Sequence, residues 1–284
     1  MRGQRVAVGP FAVDDLTRAG AVDAAIRLAL DGRRARFFAL HVGGLNHRAD
    51  SDFVREMNAA ELVCADGGSV VLLAKLAGAS HVERVPTTDV GLDVLRTLAG
   101  ALGRPPRVVL IGGEPGLADE AGRALASMGI ADVIAAEHGF HTDWDGVLDR
   151  IRNARPDVCV VGMGAPLEMI WVGQYLDALP EALVMTCGGW FGFLAGTETR
   201  APAWLRRSGV EWVARVVQAP TRLGPRYTRG VASTVLMAFS IAWRRWIRRI
   251  PPGDAAAPPA ATTAKRQRSE RGQGTSEADH ATAG

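Results

Sequence analysis

Short apolar runs alternate with amphipathic stretches over residues 1–200 of the chain. Each run is five to seven residues long, rich in valine or other apolar residues, and followed by glycine or polar residues. Runs of this length and composition predict strands that are buried on both faces of a parallel sheet. The predicted strands are residues 36–42, 61–65, 107–111, 132–136, 157–161 and 182–187.

The stretches between these runs have the composition of helices that cover a sheet. They are residues 50–59, 70–77, 91–102, 118–128, 144–153 and 168–178. Alternation of strand and helix predicts an α/β fold with a doubly wound, mostly parallel sheet. We therefore expect a single α/β core domain over residues 1–200.

The pattern changes after position 200. Residues 202–218 predict an amphipathic helix, and residues 231–250 predict a second helix after an arginine-rich stretch. The apolar part of the second helix has 13 residues, too few for a bilayer core that needs about 20. It ends in tryptophan and four arginines, which is typical of a helix lying in the lipid headgroup region. The alternative is a helix that docks on its own domain.

The last part of the chain has no periodic pattern. From residue 251 alanine, proline, threonine, serine and charged residues dominate, which predicts a disordered tail. The sequence therefore predicts a core at residues 1–200, a basic helical appendage at 201–250 and a tail at 251–284.

Positive charge is concentrated in the appendage. Residues 200–249 hold eleven arginines and one acid, a balance of +10, so a net charge of +3 leaves −7 for the rest. A basic block on an acidic protein indicates a polyanionic partner, either nucleic acid or an anionic membrane surface. The block has tryptophans at helical spacing and no nucleic-acid-binding motif, so we expect the membrane and no nucleic acid.

Cysteine usage and the N-terminal sequence indicate a cytoplasmic protein. Cys64, Cys159 and Cys187 lie in or beside apolar runs without CxxC spacing. This placement predicts buried, reduced thiols rather than disulfides or a zinc site. The first residues contain no continuous apolar segment of the kind found in signal peptides.

Glycine and polar residues follow the predicted strands, at the end where ligands bind in open α/β sheets. Five such loops lie at residues 41–46, 66–68, 112–116, 162–166 and 188–189. Glycine there lets a ligand approach the backbone closely. None of the loops has the spacing of a dinucleotide or Walker motif, and no metal-ligand cluster is visible. We therefore expect no cofactor and no metal.

Asp66 is the strongest catalytic candidate. It directly follows a predicted buried strand and precedes two glycines, so its carboxylate stands at the cleft with little cover. A carboxylate there can accept a proton from an attacking hydroxyl group as a general base. The alternative is capping of the following helix, because aspartate is a frequent N-cap residue.

Five ordered segments resemble blocks of the WecG/TagA/CpsF glycosyltransferase family, over about residues 35–230. They read ELVCADGGSVVLLAKLAG, ERVPTTDV, VVLIGGEPGLADEAGRAL, PDVCVVGMGAPLEMIW and CGGWFGFLAGTETRAPAWLRRSGVEWVARVVQAPTRLGPRYTRG. The resemblance implies a metal-independent, inverting hexosyltransferase with a Rossmann-like core. The implied reaction moves N-acetylmannosamine or a related sugar from a UDP-sugar to a sugar on an undecaprenyl diphosphate carrier. It implies a role in cell-surface glycan synthesis, such as that of teichoic acid or exopolysaccharide, at the inner face of the plasma membrane.

The resemblance also assigns residues. It places the general base on Asp66 and the arginines that bind the lipid diphosphate on Arg215, Arg222 and Arg226. Strand-end position and resemblance together give the donor- and acceptor-binding candidates His41, Asn46, Gly67, Arg84, Thr88, Asp89, Gly112, Gly113, Gly162, Gly164, Pro166, Glu168, Gly188, Gly189 and Arg200. Asp89 is also expected to cap the helix that begins near Gly91.

The chain departs from the family's motifs in three places. His41 stands where the family usually has the asparagine of a Thr-x-Asn. Glu168 and Met169 replace the last two residues of PxQE, and Gly192 replaces the aspartate of FDF. These changes leave the sugar specificity open.

Two functions from different classes follow. The first is a glycosyltransferase acting on UDP-sugar and lipid-linked acceptor, and the second is a catalytically silent, membrane-associated homologue that binds nucleotide sugars. Asp66, Gly67 and Arg84 are present and favour the enzyme. Homo-oligomerisation stays open.

Overall fold

The computed structural model describes residues 3–198 and 220–248, and the fold is described for these residues. The strands are β1 Arg5–Val8, β2 Phe11–Asp14, β3 Ala35–Leu40, β4 Leu62–Ala65, β5 Arg107–Gly112, β6 Asp132–Glu137, β7 Val158–Gly162 and β8 Leu183–Thr186. The helices are α1 Arg18–Leu30, α2 Val42–Leu45, α3 Ser51–Ala59, α4 Gly68–Ala77, α5 Thr87–Leu102, α6 Leu117–Ser127, α7 Asp145–Ala154, α8 Leu167–Gln174, α9 Trp190–Leu194 and α10 Pro220–Arg248.

A six-stranded sheet forms the centre of the fold, with the strand order β4-β3-β8-β7-β5-β6. Every neighbouring pair in this sheet is parallel. Strand β5 leads to β6 on one side, while its neighbour β7 leads to β8 on the other side. This reversal of direction opens a crevice beyond the carboxyl ends of β5 and β7. The predicted Rossmann-like, doubly wound α/β fold is confirmed.

Alternate residues of each central strand enter two separate apolar layers. In β5, Val108 and Leu110 join the layer formed with α1, α5, α6 and α9. Val109 and Ile111 join the opposite layer, formed with α3, α4, α7, α8 and the β1–β2 hairpin. Because side chains alternate along a strand, burial on both faces requires the continuous apolar runs seen in the sequence.

The predicted strands lie within two residues of the observed ones, with one informative difference at β3. This strand ends at Leu40 rather than at position 42, because His41 caps α2 and the chain turns there. Helix α5 begins at Thr87, not near Gly91, so its N-cap is Pro86. The prediction that Asp89 caps this helix is therefore wrong, and Asp89 lies in its first turn.

The elements absent from the prediction are the β1–β2 hairpin, α1, α2 and α9. The hairpin strands have only four residues each and are joined by a turn at Gly9, where φ is +62°. Strands this short give little periodic signal. Asp14 anchors the hairpin to the main sheet, since its Oδ2 accepts a hydrogen bond from the Val63 amide at 2.7 Å.

The three cysteines are buried free thiols, as predicted. Burial raises the pKa of Cys159 to about 12. Burial, and then the negative charge of Glu168, raise the pKa of Cys187 well above its ordinary value. These thiols are packing residues of the core rather than nucleophiles.

Helix α10 docks on the core along one face, against α2 and α4. Gly230 faces Val42 so closely that any side chain at position 230 would collide with it. Further along, the Ser233 hydroxyl accepts a hydrogen bond from Arg48 Nη1 at 2.9 Å, and Met237 covers Gly9. The helix begins at Pro220 rather than at 231, and its docked face agrees with the alternative of a helix packed on its own domain.

A second apolar face of α10 points away from the core. Six large apolar side chains on this face are more than half exposed: Val231, Val235, Leu236, Phe239, Trp243 and Ile247. We call these six residues the outer stripe. Among the helices of the described residues, none is both long and apolar enough to cross a membrane. The predicted helix at 202–218 and the tail at 251–284 lie outside the described residues.

Candidate functional site at the carboxyl ends of the strands

The glycine loops after β5 and β7 meet in the crevice at the carboxyl end of the sheet. Gly112 has φ +134° and abuts the carbonyl oxygen of Gly162, where a Cβ would collide. The Gly113 amide donates to that oxygen at 3.0 Å, and the Gly139 amide, from the loop after β6, donates to the Gly113 carbonyl oxygen at 2.9 Å. Three loops are therefore tied together through their backbones, in a conformation that only glycine adopts without strain at position 112.

Glu168 joins the loop after β7 to the loop after β8. Its side chain is only 2% exposed. One carboxylate oxygen, Oε2, accepts hydrogen bonds from the amides of Met163 at 3.2 Å, Gly164 at 3.0 Å and Gly188 at 3.1 Å. Hydrogen bonds from several backbone N–H groups stabilise a buried carboxylate. Glu168, predicted as a ligand-binding residue, thus also holds two loops of the cleft in place.

Asp66 lies beside the end of β3. Its amide donates to the Leu40 carbonyl oxygen at 2.7 Å, which places Asp66 next to His41. The N-cap of α4 is Gly67, with φ +106° and no side-chain capping bond. Asp66 therefore lies one residue before the N-cap residue of α4. The His41 ring caps α2, because Nδ1 accepts a hydrogen bond from the Gly44 amide at 3.2 Å.

Arg84 reaches the same place from the segment between α4 and α5. The Val85 amide donates to the Ala65 carbonyl oxygen at 2.8 Å, so residues 84–86 run alongside the end of β4. Arg84 Nη2 lies 3.7 Å from Asp89 Oδ2, and both side chains are largely buried. Thr88 lies in the same first turn of α5 as Asp89. The structure thus brings Arg84, Thr88 and Asp89 to the loop that carries Asp66.

The remaining predicted residues divide into two groups. Asn46 follows α2, Pro166 follows a cis peptide bond after β7, and Gly189 is the N-cap of α9. These three, like Gly162 and its neighbours, lie on the carboxyl-end loops. Arg200 and Arg215 lie outside the described residues. Arg222 and Arg226 are on the first turns of α10, and the positions of their side chains are not described.

Two features near the cleft were not predicted from the sequence. Glu198 folds back over Gly189 and Gly192. His138 and His141, after β6, stack with ring centroids 3.9 Å apart, and His141 Nε2 lies 3.1 Å from Glu137 Oε2. Neither has a sequence signal, because each depends on a turn that brings separate residues together. Within residues 3–198 and 220–248, no cluster of three His, Cys, Asp or Glu could hold a metal ion.

Comparison with known protein families gives a match that spans most of the chain. The family described as "Glycosyl transferase WecG/TagA/CpsF family" has a sequence model that matches residues 6–249. The matched range includes all five carboxyl-end loops and the whole of α10.

Proposed function

Because the chain belongs to the WecG/TagA/CpsF glycosyltransferase family, we propose that it transfers a hexose from a UDP-sugar to a sugar on a polyprenyl diphosphate carrier. Membership in the family gives the general activity, transfer of a sugar in glycan synthesis. The donor, N-acetylmannosamine or a related sugar on UDP, and the undecaprenyl-diphosphate-linked acceptor are our proposal. So are the products, teichoic acid or exopolysaccharide of the cell surface.

The observation that carries this proposal is the position of Asp66. It is at the carboxyl end of β4, beside the segments that carry His41 and the Arg84–Asp89 pair, and one residue before the N-cap Gly67 of α4. We propose that an acceptor hydroxyl oxygen attacks the anomeric carbon of the donor while its proton passes to the Asp66 carboxylate. The bond from the anomeric carbon to the diphosphate oxygen breaks at the same time. A single displacement of this kind inverts the anomeric configuration.

The leaving diphosphate needs positive charge or hydrogen-bond donors. The loop after β5 leads through the N-cap residue Gly116 into α6, and the first turn of this helix presents backbone N–H groups. Such groups stabilise developing negative charge because they are already oriented. We propose that Arg215, Arg222 and Arg226 add positive charge, on the lipid diphosphate in particular, and that no metal is required.

Membrane association is the third part of the proposal. The outer stripe of α10 leaves six large apolar side chains exposed, and Arg244, Arg245 and Arg248 follow on the same helix. An apolar face followed along the helix by arginines suits the headgroup region of an anionic leaflet. Helix α10 packs on α2 and α4, whose N-cap residues are His41 and Gly67, so a membrane under the outer stripe would lie beside the Asp66 half of the cleft. We place the protein peripherally at the inner face of the plasma membrane.

Turnover of the full-length protein tests the reaction. UDP-sugars, including UDP-N-acetylmannosamine, are incubated with a short-chain polyprenyl diphosphate that carries one sugar, with and without EDTA. We expect one added hexose, with inverted configuration, at equal rates in both conditions. Loss of activity in EDTA that Mg²⁺ or Mn²⁺ restores would refute the metal-independent mechanism.

The alternative function is a catalytically silent homologue that binds nucleotide sugars. Met169 and Gly192 favour it, because both replace carboxylates of the family's motifs and both are buried. Binding of a UDP-sugar without turnover on any acceptor would support this alternative over the enzyme.

Flotation with anionic liposomes tests the location. Replacing Phe239 and Trp243 with glutamine removes two stacked rings of the outer stripe and should release most of the protein from the liposomes. The matched control replaces Leu30 at the end of α1 and Met128 directly after α6 with glutamine; both are about half exposed, and this variant should float as the wild type does. Equal flotation of both variants would show that the outer stripe is not the anchor.

A further inference from the structure

Glu198 places a carboxylate at the mouth of the β8–α9 turn. The chain folds back after α9, so that the Glu198 amide donates to the Gly192 carbonyl oxygen at 3.0 Å. A Cβ at Gly192 would lie 2.9 Å from Glu198 Cγ, and a Cβ at Gly189 would lie 3.5 Å from Glu198 Oε2. The carboxylate therefore covers the first turn of α9, directly after the glycines at the carboxyl end of β8.

This position is available only because position 192 lacks a side chain. All three atoms nearest to a Cβ at Gly192 belong to the Glu198 side chain. An aspartate at 192 and a glutamate folded back from 198 could not both keep these places. Gly192 stands where the FDF motif that this segment resembles has its aspartate. The carboxylate that is missing at position 192 and the carboxylate of Glu198 would therefore occupy the same site.

We propose that Glu198 supplies the carboxylate missing at position 192 and accepts hydrogen bonds from hydroxyl groups of the bound nucleotide sugar. This inference rests on the proposed function. A carboxylate repels the donor's diphosphate, so its partners must be the uncharged parts of that ligand. Hydroxyl groups on the transferred sugar and on the ribose have the required chemistry.

Backbone and Thr197 hydrogen bonds close this turn. The Glu198 contact that closes it is made by the backbone, and the Thr197 hydroxyl donates to the same Gly192 carbonyl oxygen at 3.2 Å. The Glu198 side chain is itself exposed. Thermal unfolding of a variant without the carboxylate therefore has to be measured beside its ligand affinity.

The experiment moves the carboxylate from one position to the other in the full-length protein. Glu198→Ala, Gly192→Asp and the double variant are titrated calorimetrically with UDP and with UDP-N-acetylmannosamine. Glu181→Ala is the matched control, because this exposed glutamate precedes β8 at the opposite end of the sheet. Thermal unfolding of every variant checks the fold.

We expect Glu198→Ala to lower affinity about 10- to 100-fold, the usual effect of losing hydrogen bonds to a charged group. The double variant should recover most of that loss, because alanine at 198 frees the space that an aspartate side chain at position 192 needs. A loss seen only with UDP-N-acetylmannosamine assigns the hydroxyls to the transferred sugar, and an equal loss with UDP assigns them to the ribose.

Two results would overturn this inference and leave the proposed function intact. They are unchanged affinity in Glu198→Ala, or a loss of affinity that the double variant does not recover. If the wild-type protein binds neither nucleotide, the proposed function fails and this inference fails with it.

Discussion

At the amino end of the central sheet charged side chains join neighbouring segments, whereas at the carboxyl end glycine backbone does so. Before β7, Asp157 pairs with Arg104 at 2.7 Å and accepts from the Arg107 amide at 2.6 Å. Before β4, Glu61 pairs with Arg36 of β3 at 3.2 Å. The carboxyl end instead brings Gly112 against Gly162 and supports the loops with the buried Glu168.

This difference suggests that the amino end of the sheet contributes mainly to stability and the carboxyl end mainly to ligand binding. Long charged side chains fill the space at the amino end, so a ligand finds no open backbone there. At the carboxyl end glycines keep side chains away from the backbone, and the predicted site residues Asp66 and Arg84 lie there. Substitutions at the carboxyl end should therefore change activity more than stability, except where they alter the loop scaffold itself.

Asp66→Asn should show the largest effect on activity. The substitution keeps the shape of the side chain but removes the base, so turnover should fall roughly 10²–10⁴-fold with nucleotide binding retained. Single-turnover assays measure turnover, and the rise in Tm on adding UDP measures nucleotide binding. Asp132→Asn, at the exposed amino end of β6, is the control and should change neither. A folded Asp66→Asn protein with full activity would exclude the role.

Gly112→Ala should be an exception among substitutions at the carboxyl end, because we expect it to lower stability as well as activity. Its φ of +134° and the collision with the Gly162 carbonyl group should together destabilise the fold by about 2–5 kcal/mol. Urea denaturation measures the loss. Gly100→Ala is the control: it is within α5 with open space around its Cβ, so it should stabilise by about 0.5–1 kcal/mol. Similar stability of the two variants would contradict the close approach of β5 and β7.

Glu168→Ala should cost about 2–3 kcal/mol of stability, because three loop amides lose their buried acceptor. It should also raise KM for the donor, since the loops after β7 and β8 are no longer held together. Glu168→Gln keeps one acceptor oxygen and should recover part of both losses. If alanine and glutamine gave equal stability, the three hydrogen bonds would not contribute as described.

Asp157→Asn should have the smallest effect, at most about 1 kcal/mol, because Arg104 is half exposed and solvent screens the pair. Burial opposes ionisation of Asp157, but hydrogen bonds from Arg104 and the Arg107 amide outweigh it and lower its pKa. A lowered pKa stabilises the fold above the ordinary carboxyl pKa of about 4, and the contribution is lost as pH falls further. The difference between wild type and variant should therefore shrink below about pH 4, with turnover at neutral pH unchanged. A difference that grows in acid would contradict the lowered pKa.

The site was predicted best where one residue sits directly at a strand end. The sequence placed four such residues at the carboxyl edge of the sheet: Asp66, Gly112, Gly162 and Gly188. Each directly follows or ends an apolar run, and the end of that run marks the carboxyl end of a strand. The role of Asp66 could not be predicted in the same way, since capping and catalysis require the same residue at the same position. In the structure the N-cap residue of α4 is Gly67 and Asp66 lies one residue before it, so catalysis by Asp66 stays a prediction.

The α/β class, the six parallel strands and the glycine-rich edge follow from the sequence by itself, because periodicity and glycine placement are local properties of the chain. The tertiary structure alone decided three further matters. It showed that Asp89 lies within a helix turn beside Arg84, that Glu168 holds two loops, and that α10 packs one face on the core and exposes another. Each depends on contacts between residues far apart in the chain, and apolar spacing shows that a helix has a buried face but not what covers it.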